Sequence, residues 1–125
     1  MAKLIYLAAP YWNRFADIRA RRVAEASAFA FGRATRGDLI FSPLSHSTGI
    51  LNHAHGSEPP SEDYWRELGA EIAGRCDAVW VLMFPGWETS AGIEAELSAA
   101  GRAGIEIEFI NPPNCIEWPR ENDGA

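Results

Sequence analysis

The sequence has little cysteine and no long apolar run. Two of its 125 residues are cysteines, Cys76 and Cys115, and their spacing matches no metal-binding motif. The apolar run at the N-terminus is interrupted at Pro10, which makes it too short for a signal peptide. No run approaches the roughly 20 residues of a membrane helix. We therefore expect a cytoplasmic protein without a membrane partner. Both thiols are expected to be reduced, although the spacing alone leaves a disulfide between them open.

The sequence also lacks the positive charge that nucleic-acid binding needs. The net charge is −6, and the one basic cluster, Arg19, Arg21 and Arg22, shares its segment with Asp17 and Glu25. Mixed charges of this kind are typical of a solvated helix face, so we predict no nucleic-acid partner. A ligand the size of a nucleotide is still compatible with this composition, because a single pocket can be locally positive on an acidic protein.

Phosphate-binding and metal-binding motifs are absent as well. Neither G-x-G-x-x-G nor G-x-x-x-x-G-K followed by Ser or Thr occurs, which argues against a dinucleotide cofactor and a P-loop. His46, His53 and His55 have the spacing H-x6-H-x-H, which fits no common metal site. We therefore predict no metal and no cofactor. The neighbours Ser45 and His46 are a poor catalytic pair, because adjacent residues rarely reach the geometry of a nucleophile and its base.

The patterns that are present indicate one globular α/β domain. Apolar residues make up 47% of the chain, enough for a sizeable core in a single domain over residues 1–125. The periodicity predicts a strand, a helix, a strand, a long loop, and then helix, strand, helix and strand. The predicted strands cover residues 3–9, 38–42, 77–84 and 105–110, and the predicted helices cover residues 14–36, 61–75 and 90–102. A long loop or lid is predicted at residues 43–60, and an irregular tail at residues 112–125.

Strands that alternate with helices predict a parallel sheet, and this locates a ligand site. Ligands of such sheets bind outside the carboxyl ends of the strands. Three segments follow predicted strands at that edge, at residues 9–13, 42–46 and 85–92. In the first segment, Tyr11 can stack on a planar ring, while Trp12 either stacks as well or packs under the long helix. In the second segment, Ser45 is a candidate ligand contact.

The helix after the third strand carries the best candidate for chemistry. Gly92 and Glu96 are four residues apart and share a helix face, and the Glu96 side chain is expected to lean back over Gly92 toward the ligand edge. The glycine leaves room for a ligand beside the carboxylate, which the nearby helix N-terminus should keep ionised. Glu94 lies about 200° round the helix and cannot serve the same pocket. Alternatively, Glu88, Glu94 and Glu96 are all solvent-facing helix acids.

Four segments resemble one known group of proteins. They are Y-L-A-A-P-Y-W at residues 6–12, S-P-L-S-H-S at 42–47, C-D-A-V-W-V-L at 76–82 and P-G-W-E-T-S-A-G-I-E-A-E-L at 85–97. They resemble an uncharacterised branch, a domain of unknown function, of the nucleoside 2-deoxyribosyltransferase-like superfamily over most of residues 4–108. The resemblance implies a flavodoxin-like three-layer sandwich, with a four- to five-stranded parallel sheet and helices on both faces. It also implies a homo-oligomer, in which Trp65 and Trp87 either lie at the interface or pack in the core.

The resemblance further implies a substrate and roles for individual residues. The superfamily pattern is a glycine, three residues and then Glu-Leu, and Gly92 and Glu96 match it here. Glu96 thus stands where the family nucleophile attacks the anomeric carbon of a nucleoside or nucleotide. The expected function is that of an N-glycosidase or a deoxyribosyltransferase. Besides Gly92, the residues implied to contact the base, the sugar or a 5′-phosphate are Tyr6, Pro10, Tyr11 and Ser90.

The sequence departs from the superfamily pattern in the helix before the third strand. Relatives usually carry an aspartate there that helps to handle the base, whereas this chain has Gly69. Asp63 and Glu67 are the alternative donors. The departure keeps a second hypothesis open, a non-catalytic nucleotide- or base-binding module that has lost the helper acid. A third hypothesis is a hydrolase of another small glycosidic or ADP-ribosyl-type ligand.

Overall fold

Four parallel strands form the centre of the molecule. The computed structural model describes residues 2–112, and the order of the strands in its sheet is β2-β1-β3-β4. All three strand pairs are parallel, and Ile5 lies opposite Ile40 on one side and Ala78 on the other. This confirms the predicted α/β class with a four-stranded parallel sheet. The strands are β1 (Leu4–Ala8), β2 (Leu39–Phe41), β3 (Ala78–Leu82) and β4 (Glu106–Ile110).

Helices cover both faces of the sheet. Tyr6 and Val79 pack with residues of the last two helices on one face, and Leu7 and Leu82 pack with residues of the first two on the other. Successive residues of a strand point to opposite faces, so β1 and β3 bury apolar side chains on both. This arrangement is consistent with a flavodoxin-like sandwich. The helices are α1 (Ala16–Ala34), α2 (Pro43–Leu51), α3 (Glu62–Ala73) and α4 (Ala91–Ala103), and a short 3-10 turn (Trp87–Thr89) precedes α4.

Polar side chains and a glycine fix the ends of α3 and α4. The Ser61 hydroxyl accepts a hydrogen bond from the Tyr64 amide at the start of α3. The Ser90 hydroxyl accepts one from the Ile93 amide at the start of α4. Gly104 ends α4 in a left-handed conformation, with φ 70°. These ends confirm the predicted positions of both helices.

Residues 43–51 form helix α2, so the long loop predicted at residues 43–60 is wrong over its first half. Ser42 caps this helix, because its hydroxyl accepts a hydrogen bond from a backbone amide of the first turn, and Pro43 occupies that turn. Serine, threonine and glycine give the segment a low helix propensity, and nine residues are too few for a sustained apolar period. The helix is held by tertiary packing, since Leu44 is buried in the core on the α1 side of the sheet.

Arg22 in α1 departs from the solvated face predicted for the basic cluster. Its side chain is only 2% exposed, and it lies in line with Ile18 and Ala26, which are also buried. Arg19 and Arg21 are half-buried. The prediction is wrong for Arg22 because charge alone does not keep a side chain exposed: an arginine whose donors reach backbone carbonyls can be buried.

Two predictions concern residues beyond the described part of the chain. Cys76 is buried next to the sheet, but Cys115 lies outside the described residues, as does the predicted tail beyond residue 112.

The helices were also compared with the requirements of a membrane-spanning segment. None of those in residues 2–112 combines the length and the hydrophobicity that a bilayer-crossing segment needs.

Candidate functional site

A cavity opens at the carboxyl edge of the sheet, where the three predicted segments converge. Its volume is about 680 Å³, within the usual range of small-molecule pockets. Its walls come from the segment after β1, from α2 and α3, and from the first turns of α4. Most of the lining side chains are apolar or aromatic, among them Tyr11, Trp12, Phe41, Trp65 and Leu68. Such a cavity suits a small ligand with a planar, partly apolar group.

The Glu96 carboxylate forms part of the cavity wall. The residue lies in the second turn of α4 and is 8% exposed. Its Oε2 atom accepts a hydrogen bond from the hydroxyl of Tyr6, which projects from the central strand β1. Glu88 and Glu94 are exposed and line no part of the cavity. Of the three acids in this segment, the structure therefore brings only Glu96 to the cavity, as its spacing from Gly92 predicts.

Burial controls the ionisation of the Tyr6–Glu96 pair. Loss of hydration raises the pKa of Glu96 to about 7, and the hydrogen bond from Tyr6 lowers it by a smaller amount. Burial, and then the charge of Glu96, raise the pKa of Tyr6 far above its ordinary value, so the phenol stays protonated and donates. Burial thus opposes the predicted effect of the α4 N-terminus, which favours the ionised form of Glu96.

Gly69 brings α3 into contact with this pair. A Cβ atom added at Gly69 would lie 2.9 Å from the hydroxyl oxygen of Tyr6 and 3.1 Å from Oε2 of Glu96. The position at which the resemblance implies a helper aspartate thus lies beside the carboxylate, but the two side chains already fill the space. Asp63 and Glu67 do not replace that acid, since both are exposed and neither lines the cavity.

Gly92 marks the open side of the carboxylate. The nearest heavy atom to a Cβ atom added there is the hydroxyl oxygen of Ser90, at 3.8 Å. Gly92 is exposed and lines the cavity, and Ser90 lines it while its hydroxyl caps α4. Room for a ligand beside Glu96 therefore lies toward the first turn of α4 and not toward α3.

The structure brings most of the predicted site residues together but places Ser45 elsewhere. The Ser45 hydroxyl forms hydrogen bonds with the hydroxyls of Ser27 in α1, at 2.6 Å, and Ser42, at 2.8 Å. Because this segment is helical, Ser45 faces α1 while the next residue, His46, lines the cavity. The predicted residues that do line the cavity are Tyr6, Pro10, Tyr11, Ser90, Gly92 and Glu96.

Helices α2 and α3 supply cavity residues that the sequence pattern does not assign to a site. Leu51 comes from α2 and is missed because that helix is not recognisable from its sequence. His46, from the same helix, lies in the ligand-edge segment predicted at residues 42–46, although the pattern gives it no ligand contact. Trp65, Leu68 and Ile72 come from α3. Their spacing does reveal one apolar helix face, but such a face predicts ordinary core packing equally well. The sequence thus identifies these α3 residues as one apolar face, but it does not show whether that face lines a cavity or packs in the core.

The tryptophan side chains left open by the sequence divide between the cavity and the packed core. Trp12 is 63% exposed, lines the cavity and lies 5.1 Å from the guanidinium carbon of Arg19, so it does not pack under α1. Trp65 lines the cavity as well. Trp87 packs against Phe109, with 5.4 Å between the ring centroids. These placements leave the homo-oligomer a prediction.

One family model spans the fold and the cavity together. The model described as "Domain of unknown function (DUF1937)" matches residues 3–111. The chain belongs to the DUF1937 family. No match was found among curated proteins. The DUF1937 match includes all the strands and helices described above and all the residues that line the cavity. It agrees with an uncharacterised domain, while a relation to the nucleoside 2-deoxyribosyltransferases stays a proposal.

The raised pKa of Glu96 predicts how stability depends on pH. In the unfolded chain this carboxyl titrates near its ordinary value of 4.5, and in the folded protein near 7. Between these values the folded state binds more protons at Glu96, so the contribution of this carboxyl to stability is greatest below 4.5 and falls as the pH rises to about 7. Glu96→Gln removes this titration. We expect E96Q to exceed the wild type in unfolding free energy by up to about 3 kcal/mol at about pH 8, and to match it at low pH.

Urea unfolding of both proteins across this pH range measures the difference. Glu94→Gln is the matched control, because Glu94 lies in the same helix and is exposed. We expect E94Q to follow the wild-type pH dependence. A difference between E96Q and the wild type that stays constant with pH would contradict the raised pKa.

Alanine at Gly69 and at Gly92 should have opposite effects on stability. Both substitutions introduce a better helix former, worth up to about 1 kcal/mol. At Gly92 the new methyl group meets nothing closer than 3.8 Å, whereas at Gly69 it crowds Tyr6 and Glu96. We expect G69A to be less stable than G92A by about 1–3 kcal/mol in urea unfolding. Equal stabilities would mean that α3 moves away from the pair at no cost.

Proposed function

We propose that this DUF1937 domain cleaves the N-glycosidic bond of a nucleoside or nucleotide, as a hydrolase or a deoxyribosyltransferase. One observation carries the proposal. The Glu96 carboxylate, held by the Tyr6 hydroxyl, lies in the wall of a cavity of about 680 Å³ whose other walls offer aromatic surface. A carboxylate beside a ring-binding surface suits a substrate that joins a sugar to a planar base. The resemblance of four sequence segments to the nucleoside 2-deoxyribosyltransferase-like superfamily supports the same assignment.

Glu96 is the nucleophile of the proposed reaction. Its ionised carboxylate attacks the anomeric carbon, the bond from this carbon to the base nitrogen breaks, and its electron pair leaves with the base, which takes up a proton. The sugar is then an ester of Glu96. In the second step water or an acceptor base attacks the anomeric carbon, loses a proton and releases the carboxylate. Because Tyr6 donates to Oε2, the Oε1 atom is left for the attack.

The leaving base needs a flat surface and a proton donor. Tyr11 and Trp12 from the segment after β1, and Trp65 from α3, provide aromatic surface in the cavity. Within the described part of the chain, His46 and Glu62 are exposed residues that also line the cavity. They are therefore the candidates for protonating the base, in place of an acid at position 69.

A second candidate function is a non-catalytic nucleotide- or base-binding module. Gly69 is the observation that favours it, because the space beside Glu96 holds the Tyr6 hydroxyl and not a second carboxylate. A pocket without an acid at this point can still bind a planar base by stacking and burial. This alternative predicts that the same ligands bind and that no glycosidic bond is broken.

Release of free base distinguishes the two functions. The full chain is incubated with deoxynucleosides and with their monophosphates, with and without an acceptor base, and free base is followed by chromatography. For the enzyme we expect release that falls on the order of 10³-fold or more in Glu96→Gln, because no nucleophile remains. Glu94→Gln, on the same helix but outside the cavity, should retain wild-type release. Binding without release supports the module, and no binding of any of these ligands would rule out both functions.

The role of Glu96 as a nucleophile fixes the sign of the pH dependence. The carboxylate attacks only when ionised, and its pKa is raised to about 7 by burial. We therefore expect kcat/KM for base release to increase about tenfold per pH unit below 7 and to level off above it. Initial rates at low substrate concentration measure this profile. A kcat/KM that falls over the same interval would mean that Glu96 acts in its protonated form, as an acid.

A further inference from the structure

Arg22 is a buried cation whose place in the fold demands an explanation. It lies in the buried stripe of α1, between Ile18 and Ala26, and is 2% exposed. Removal of a guanidinium group from water is costly unless its N–H groups find acceptors. An apolar side chain would fill this position of the stripe without that cost. The partners of Arg22 therefore indicate what the cation does.

The guanidinium group joins two segments that lie far apart in the sequence. Its Nη1 atom donates to the carbonyl oxygens of Trp12, at 2.7 Å, and Tyr11, at 3.3 Å. Its Nη2 atom donates to the carbonyl oxygen of Pro85, at 2.6 Å. The first two carbonyls belong to the segment after β1, and the third belongs to the segment after β3. One planar group thus bonds to both segments at once.

Both segments form walls of the cavity beyond the ends of the paired strands. Tyr11 and Trp12 line the cavity directly. Pro85 is followed by Gly86, which also lines it in a left-handed conformation with φ 94°, and then by the turn that leads to the cap of α4. The paired residues of β1 and β3 end at Ala8 and Val81, so the ladder between these two strands stops short of either segment.

We propose that Arg22 is a positioning residue for the ligand site, tying the aromatic wall at Tyr11 and Trp12 to the segment that leads into α4. The guanidinium plane sets the separation of the two backbones, and with it the distance between the ring-stacking surface and the start of the helix that carries Glu96. The hydrogen bonds by which Arg22 joins the two walls do not depend on any reaction, whereas their effect on turnover rests on the proposed function. A planar base is the ligand group that this spacing serves.

Arg19 provides a matched comparison on the same helix. It lies one turn before Arg22 and donates from Nη1 to the carbonyl oxygen of Asn13, at 2.6 Å. Its guanidinium group also lies over the ring of Trp12. These contacts all belong to the segment after β1. Loss of Arg19 should therefore loosen one wall, and loss of Arg22 should loosen both.

Hydrogen exchange of the full chain tests whether Arg22 holds the two segments together, without any assumption about activity. The variants are Arg22→Met and Arg19→Met, and the amides of residues 11–15, 86–90 and 79–81 are compared with the wild type. In R22M we expect exchange at 11–15 and at 86–90 to rise about tenfold or more, since hydrogen bonds to a charged donor are lost. In R19M only residues 11–15 should respond, and the β3 amides at 79–81 should keep wild-type rates in both variants.

Arg22→Lys keeps the test decisive if R22M does not fold. A lysine carries its charge on one nitrogen and cannot hold the two backbones with a rigid plane, so faster exchange is expected at 86–90, at 11–15 or at both, with the β3 amides unchanged. Wild-type exchange at both segments in R22K or R22M would overturn the proposal. A response of R22M confined to residues 11–15, as in R19M, would overturn it as well.

Turnover then separates the positioning role from the proposed function. With the deoxynucleoside that gives base release in the wild type, we expect KM to rise about tenfold in R22K while the rise of kcat/KM below pH 7 keeps its midpoint, because Glu96 is untouched. If the wild type releases no base but both walls loosen, the proposed function fails and the positioning role stands. If the wild type releases base and R22K matches it in exchange and KM, the positioning role fails and the function stands.

Discussion

Glu96 loses most of its hydration when α4 packs against the sheet, and the Tyr6 hydroxyl returns one hydrogen bond to it. The phenol can do this at any physiological pH because burial keeps it protonated. The pair also dictates how close α3 comes, since a side chain at Gly69 would take the same space. Strand β1 and helices α3 and α4 therefore come together at the Tyr6–Glu96 hydrogen bond, and each of them contributes residues to the cavity wall.

Apolar packing and polar contacts stabilise different parts of this domain. Apolar side chains on both faces of β1 and β3 hold the layers together. The carboxyl edge lies beyond the strand ladders, and there the backbone is held by individual polar groups. Arg22 bonds to three carbonyls, and the Ser90 hydroxyl caps α4. This division explains why a charged residue is buried beside a site that is otherwise largely apolar.

Sequence patterns predict the parts of the structure that local physics controls. Continuous apolar runs identify β1 and β3, caps and periodicity identify α3 and α4, and helical spacing separates Glu96 from Glu94. The patterns fail where distant residues decide the outcome. Helix α2 is held by its packing and not by its propensity, and Arg22 is buried because carbonyls from two other segments reach it. The raised pKa of Glu96 could not be predicted for the same reason, since it comes from burial among elements that are distant in the sequence.

The two members of the buried pair are 90 residues apart in the chain. A growing polypeptide therefore presents Tyr6 early and must wait for almost the whole domain before its partner arrives. Until α4 is in place, the central strand lacks the acceptor for its phenol, and the cavity lacks one wall. Long-range closure of this kind slows folding, and a chain without α4 lacks the cavity wall that carries Glu96. Assembly of the last helix and completion of the cavity are thus the same event.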